Sequence, residues 1–175
     1  MQYKHVTLVC IFDGDKVLMI KKLRGMQGFG AGVDGHGKDV FNFPGGKCET
    51  NPETGAVECF LDCACREACE ETGITPIEPK QVGQLQFTWP EADKVLVCPV
   101  FRADKFSGEL ISCPGESEAE WIPIDAIPYD NMWPNDRIWV PYIFAGKPFH
   151  LKITFPAGGN FVVEELPLDF DIRVE

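Results

Sequence analysis

Between Asn51 and Gly73 the chain carries a helix's punctuation at both ends, set among segments that read as short strands and loops. Asn51 can cap this helix, with Pro52 at the first helical position, where its missing N–H costs nothing. Gly73 can close it in the left-handed conformation on which helices often end. Leu61, Cys65 and Ala68 stand four and three residues apart and form an apolar stripe for packing on a sheet. Gly55 weakens the start. Any fold for this chain must therefore give one amphipathic helix a sheet to lie on.

The strands are legible from alternation and turn residues. Residues 3–12 read as a strand, Asp13-Gly14-Asp15-Lys16 as a turn, and Val17-Leu18-Met19-Ile20 as its hairpin partner. Residues 24–39 hold six glycines and no apolar period, which predicts a long loop. Phe41-Asn42-Phe43 is a short strand candidate before Pro44-Gly45-Gly46. Val82–Trp89 alternates, Val95–Phe101 is a continuous apolar run, and Trp121–Ile124 is a short strand after an acidic loop over 112–120. Phe149–Phe155 and Phe161–Leu166 predict a closing hairpin around Ala157-Gly158-Gly159-Asn160.

Composition narrows the function classes. At roughly 150 residues per domain, 175 residues make one domain, 1–175, with no linker or repeat to divide it. A 45% hydrophobic and 25% charged composition excludes a disordered chain, a collagen and a coiled coil. The net charge of −11 argues against a nucleic acid polymer as partner. A protein this acidic should meet phosphates through a bound cation. The apolar run Val6–Phe12 stops at Asp13 without a cleavage site, and no run is long enough to cross a bilayer, so a soluble, cytoplasmic chain with no membrane partner is expected. Eight cysteines then read as thiols. Cys59, Cys63, Cys65 and Cys69 crowd the helix without any CxxC spacing, which favours small buried helix positions over a metal or redox site.

The chemistry sits in Arg66-Glu67-Ala68-Cys69-Glu70-Glu71-Thr72-Gly73-Ile74. With about 100° between successive helical residues, Glu67, Glu70 and Glu71 share one face. Three carboxylates held together repel one another unless something cationic joins them. Clustered hard oxygen ligands suit Mg²⁺ or Mn²⁺, metals that bind together with substrate phosphates. Trp133, Trp139, Phe29 and Phe87 are aromatic surfaces, and Asn42 and Asp136 carry hydrogen-bonding groups. Two prolines near Trp133 and Trp139 argue against buried regular structure there.

Gly46, Glu58 and Arg66–Ile74 resemble the Nudix box, G-x5-E-x7-R-E-U-x-E-E-x-G-U, where U is a bulky aliphatic residue. Ala68 stands at the first U. Seven residues separate Glu58 from Arg66, as in the pattern, but eleven separate Gly46 from Glu58 where the pattern has five. Glu53 is the other candidate for the first glutamate; Glu58 keeps the spacing to Arg66. The resemblance implies an α+β Nudix fold, a mixed curved β-sheet sandwiched by helices (α/β/α), with a second helix near Trp133. It implies that Glu58 pairs with Arg66, and that Glu67, Glu70, Glu71 and Gly46 bind Mg²⁺, with Mn²⁺ the alternative. Within the family the chain is most similar to the branch acting on oxidised purine nucleoside triphosphates, through Lys21-Lys22, Gly28–Gly32, Val82–Phe87, Met132–Asp136 and Trp139-x-Pro141. That likeness places Phe29, Asn42, Phe87, Trp133, Asn135, Asp136 and Trp139 around a purine, and Thr7 and Lys21 near its mouth. It also makes Glu116 a further metal-binding or water-activating carboxylate, with Glu118 and Glu120 as the fallback.

The expected reaction is hydrolysis of a purine nucleoside triphosphate such as 8-oxo-dGTP or 2-hydroxy-dATP to monophosphate and pyrophosphate by a monomer, with Glu71 or Glu116 activating water. Asn135 stands where that branch has the first of two adjacent aspartates, which removes a carboxylate–carboxylate coupling and is expected to narrow or alter base preference. A longer Gly-rich loop, 33–40, lies beside the expected entrance. The competing expectations are a Nudix pyrophosphohydrolase for another nucleoside diphosphate derivative, such as a dinucleoside polyphosphate or nucleotide sugar, and a non-catalytic nucleotide or thiol sensor.

Overall fold

The computed structural model describes residues 2–22, 40–111 and 117–169. In chain order the elements are β1 (Gln2–His5), β2 (Leu8–Asp13), β3 (Lys16–Lys22), β4 (Val40–Asn42), α1 (Phe60–Thr72), β5 (Ile74–Pro76), β6 (Lys80–Trp89), β7 (Lys94–Ala103), β8 (Phe106–Gly108), β9 (Ser117–Pro123), α2 (Asp136–Phe144), β10 (Phe149–Thr154) and β11 (Val162–Glu165). A mixed sheet runs in the order β11-β10-β6-β7-β2-β3-β4, with β1 also on β7 and β9 on β3. β5 and β8 form a separate antiparallel pair.

Alternation on the central strands builds two apolar layers. Val9, Ile11, Leu18 and Ile20 face α1 with Ala64 and Ala68. Cys10, Phe12, Val17 and Met19 face the other way, onto Trp139, Val140 and Ile143 of α2. β2 and β3 are thus buried on both faces, which explains their continuous apolar sequence. The result is α+β, a helix on each side of a mixed sheet, as expected.

Four expectations change. Residues 3–12 are two strands: Val6 and Thr7 leave the ladder between β1 and β2, and there the N–H of Thr7 donates to the Gly46 carbonyl (2.9 Å). The helix starts at Phe60, not at Pro52. Asn51 instead closes a turn, its Oδ1 accepting from the N–H groups of Glu53 (2.9 Å) and Thr54 (3.0 Å), while Thr50 bridges Val57 across it. Asn-Pro is turn chemistry as much as capping chemistry, and Gly55 supplies the positive φ of 71° that the turn needs.

The buried face of α1 is Cys63, Ala64, Ala68 and Thr72; Leu61 is exposed and Cys65 half-buried. Small residues let the helix approach the sheet closely, so the contact row is 64–68–72 and not the one through Leu61. Of the four helix cysteines only Cys63 is buried, and Cys59 and Cys69 are exposed. Finally, the acidic stretch before Trp121 is already strand from Ser117, paired with the whole of β3. Gly73 ends α1 as expected, with φ 73° and its N–H on the Cys69 carbonyl at 2.9 Å.

Candidate active site

The turn Pro44-Gly45-Gly46 is pressed between β2 and α1. A Cβ on Gly45 would run into the Thr7 backbone. A Cβ on Gly46 would lie inside the Glu67 carboxylate, 2.7 Å from Oε1. Both positions therefore require glycine for close approach, and both bring backbone polar groups to the helix carboxylates. The Gly45 N–H donates to Glu71 Oε2 at 3.1 Å. The Gly46 carbonyl already accepts from Thr7.

Arg66 organises the rest. Its Nε and Nη2 donate to the two oxygens of Glu58 at 3.0 and 2.8 Å, a bidentate pair. Nη2 also donates to the Lys47 carbonyl (3.1 Å), and Nη1 to Glu67 (3.0 Å) and Glu70 (3.2 Å). The guanidinium thus ties the inserted turn, the glycine turn and the acidic face together. Hydrogen bonding to Arg66 holds the Glu58 carboxyl down at about 2. Glu67 is pushed up, first by its burial and further by Glu71 and Glu70, against the pull of Arg66.

The carboxylates of Glu67, Glu70 and Glu71 with the Gly46 carbonyl make an all-oxygen donor set suited to a hard divalent cation. Among the described residues, no three acidic, histidine or cysteine side chains already converge as a metal shell. Glu70 is exposed and turned to Arg66, its Oε2 3.2 Å from Nη1. The donor chemistry fits a Mg²⁺-like ion.

A cavity of about 1000 Å³ opens beside this cluster. Thr7, Asn42, Gly46, Glu67, Glu71, Phe87, Trp133, Asn135, Asp136 and Trp139, all singled out from sequence, line it. Glu70 and Lys21 do not. Phe29 and Glu116 lie outside the described residues, as does the Gly-rich loop over 33–39. Glu118 and Glu120 are exposed on β9 and do not line the cavity.

The far end is polar and buried. Asp136 is 3% exposed. Its carboxylate accepts from the Trp139 Nε1–H (2.9 Å), the Trp133 N–H (3.2 Å) and Asn135 Nδ2 (3.3 Å). Burial nevertheless outweighs these donors and lifts its pKa to about 7. The expectation of irregular structure here is corrected: α2 begins at Asp136 and carries Pro141 inside it. Its Trp139 is 1% exposed and meets Phe43 edge-on, with ring centroids 5.7 Å apart. Trp139 is a core residue whose indole holds Asp136, while Trp133, half-buried, keeps a surface toward the cavity.

Among the lining residues that the sequence reading did not single out are Trp89, Leu96 and Phe155. Trp89 and Phe155 stack at 5.2 Å and 12°, next to Phe87. Leu96 stands opposite Phe87 in the β6–β7 register. The alternation from Phe87 to Trp89 could have found one of them; Leu96 and Phe155 need the strand register.

Cys48 and Cys63 do not look reactive. Burial pushes Cys63 up, and burial with its neighbour Cys63 pushes Cys48 up, the reverse of a poised thiolate.

The NUDIX domain family model matches residues 2–143. A protein of Danio rerio named oxidized purine nucleoside triphosphate hydrolase is 32% identical over 169 residues, covering 95% of this chain and 94% of its own. A mouse protein of the same name is 32% identical over 151 residues, covering 83% and 84%. In fold the chain is similar to a MutT protein from Bacillus halodurans, with a TM-score of 0.71, 21% identity, and coverage of 93% of this chain and 97% of that one. With the family model matching most of the chain and relatives 32% identical over most of their length, the chain belongs to the Nudix family and is a Nudix hydrolase.

Proposed function

We propose that the protein hydrolyses oxidised purine nucleoside triphosphates to monophosphate and pyrophosphate with the help of a divalent cation, as the names of its fish and mouse relatives suggest. One observation carries this reading: a single cavity runs from the carboxylates Glu67 and Glu71 to the buried polar pair Asn135 and Asp136. A base recognised at the polar end leaves its phosphates beside the acids.

Glu67, Glu70, Glu71 and the Gly46 carbonyl would hold Mg²⁺ or Mn²⁺, which neutralises charge on the phosphate oxygens when bound. Arg66 keeps Glu67 and Glu70 aimed, and is itself anchored by Glu58. Glu71, fixed by the Gly45 N–H, is the described carboxylate best placed to accept a proton from the attacking water. Trp133 and Phe87 offer faces to the purine. Asn42 and Asp136 offer edge contacts. With its proton on, Asp136 donates as well as accepts, and near pH 7 both forms are populated. Asn135 spends an amide donor on Asp136, so only one carboxylate reads the base.

The test is pyrophosphate release in Mg²⁺ from dGTP, 8-oxo-dGTP, dATP and 2-hydroxy-dATP at low substrate. Strong preference for an oxidised purine is the expected result. Equal, weak turnover of all four would overturn the base assignment and leave the metal face standing.

A further inference from the structure

Gly83 is a buried glycine inside β6, and its backbone does not adopt the left-handed conformation. Turn geometry does not explain it, so the reason is a close approach in space. Gly83 pairs with Phe149 in the β6–β10 register. A Cβ built on Gly83 would run into the tip of the Phe149 ring, 2.5 Å from Cε2. The ring occupies the place of the missing side chain, a cross-strand aromatic–glycine contact.

The tip of a phenylalanine can often swing aside, but this one is confined. Phe149 is 2% exposed, with ring centroids 6.1 Å from Trp139 and 5.7 Å from Tyr142. Its strand is fixed from the opposite face by the next residue, the buried His150. The His150 Nδ1–H donates to the Pro167 carbonyl (2.7 Å), and Nδ1 is 3.1 Å from Asp169 Oδ1. Its Nε2 lies 3.1 Å from the Gln86 amide nitrogen and 3.4 Å from that of Gln84. The His150 carbonyl accepts from the Leu166 N–H (2.8 Å). β10 is thereby tied to β6 on one side and to the segment after β11 on the other. A displacement of the Phe149 ring is passed to α2, on which Trp139 and Tyr142 stand.

Trp139 carries the connection to the polar end of the cavity. It lies between Phe149 and Phe43, and its Nε1–H donates to Asp136 at 2.9 Å. The seat of the indole depends on the ring at 149, and one of the three donors to the Asp136 carboxylate depends on the indole. Neither Gly83 nor Phe149 lines the cavity.

We infer that Gly83 and Phe149 are positioning residues for Asp136, acting through Trp139. The bare glycine lets the ring seat, the ring seats the indole, and the indole aims the carboxylate. Its consequence for nucleotide binding rests on the proposed placement of the base at Asp136. The relay itself can be tested without a ligand.

The test compares the full chain, labelled with ¹⁵N, with Gly83→Ala, Phe149→Leu and the double variant. Trp139→Phe identifies the Trp139 indole N–H resonance. In Gly83→Ala that resonance should move upfield as its hydrogen bond to the carboxylate is lost, while the Trp121 indole, packed on Phe106, stays in place. Phe149→Leu removes the ring without adding a clash and should move the same resonance. With 8-oxo-dGMP as the probe in titration calorimetry, Gly83→Ala should bind about tenfold more weakly than the parent. In the Phe149→Leu background the same substitution should add less than about twofold, since no ring is left to displace. An unmoved indole resonance in either single variant overturns the inference. So does an equal loss of binding from Gly83→Ala in both backgrounds, which would mean that Gly83 acts by another route. A moved resonance in both variants, with no 8-oxo-dGMP binding by the parent, would uphold the relay and overturn the base assignment.

Discussion

Asp136 offers the sharpest physical test of the site. It is 3% exposed, and burial moves its pKa from an ordinary 3.8 to about 7 against three hydrogen-bond donors. The folded state therefore holds a proton that the unfolded state has released. The contribution is fully present below the unfolded pKa near 3.8 and is lost as pH rises to the folded value of about 7. At about 1.4 kcal/mol per pH unit, that interval bounds the effect at about 4 kcal/mol. Asp136→Asn removes the titration. It also turns an amide N–H toward the indole or the Trp133 N–H, a fixed cost of about 1–3 kcal/mol that does not depend on pH. Urea unfolding of both proteins at intervals from pH 4.5 to 8 separates the two effects. The variant starts less stable and gains on the parent as pH rises, by several tenths to a few kcal/mol in all. Parallel profiles would refute the reasoning. A variant that loses ground at high pH would mean that the three donors, and not burial, set the charge of this group.

Two further predictions concern the acidic face. Gly46→Ala places a methyl group inside the Glu67 carboxylate, so turnover should fall by about tenfold or more through lost positioning while the melting temperature moves little; retained turnover would mean that Glu67 need not sit there. Glu58→Gln breaks the bidentate pair with Arg66 and should cost about 1–3 kcal/mol near neutrality. Because the Glu58 pKa is lowered to about 2, the stability it adds is present above its unfolded value of 4.5 and is lost as pH falls toward 2, so the gap between parent and variant should close in an acid titration followed by circular dichroism.

Much of the site was legible because its chemistry is local. Arg66 to Ile74 lie on one helix, where spacing alone decides which side chains share a face. Gly73 ends that helix because only its left-handed conformation satisfies the last carbonyls without strain. Choosing Glu58 over Glu53 followed from spacing to Arg66, and in the fold it is Glu58 that meets the guanidinium. The errors have one cause, since local signals carry two meanings. Asn51-Pro52 can cap a helix or make a turn, and only the bridge from Thr50 to Val57 selects the turn. The stripe through Leu61 and the row through Ala64 are neighbouring faces of one helix, and the sheet beneath chooses the row of small residues.

The sequence by itself determined the acidic face, its arginine and the glycine turn, since residues near one another in the chain can be related by backbone geometry alone. Only the tertiary structure decided that Trp139 is buried while Trp133 is half-exposed where both line the cavity, that Asp136 is buried deeply enough to hold a proton near neutrality, and that Leu96 and Phe155 reach the cavity. Strand register and desolvation set those features. Both arise from contacts between segments far apart in the chain, and no local pattern of residues encodes them.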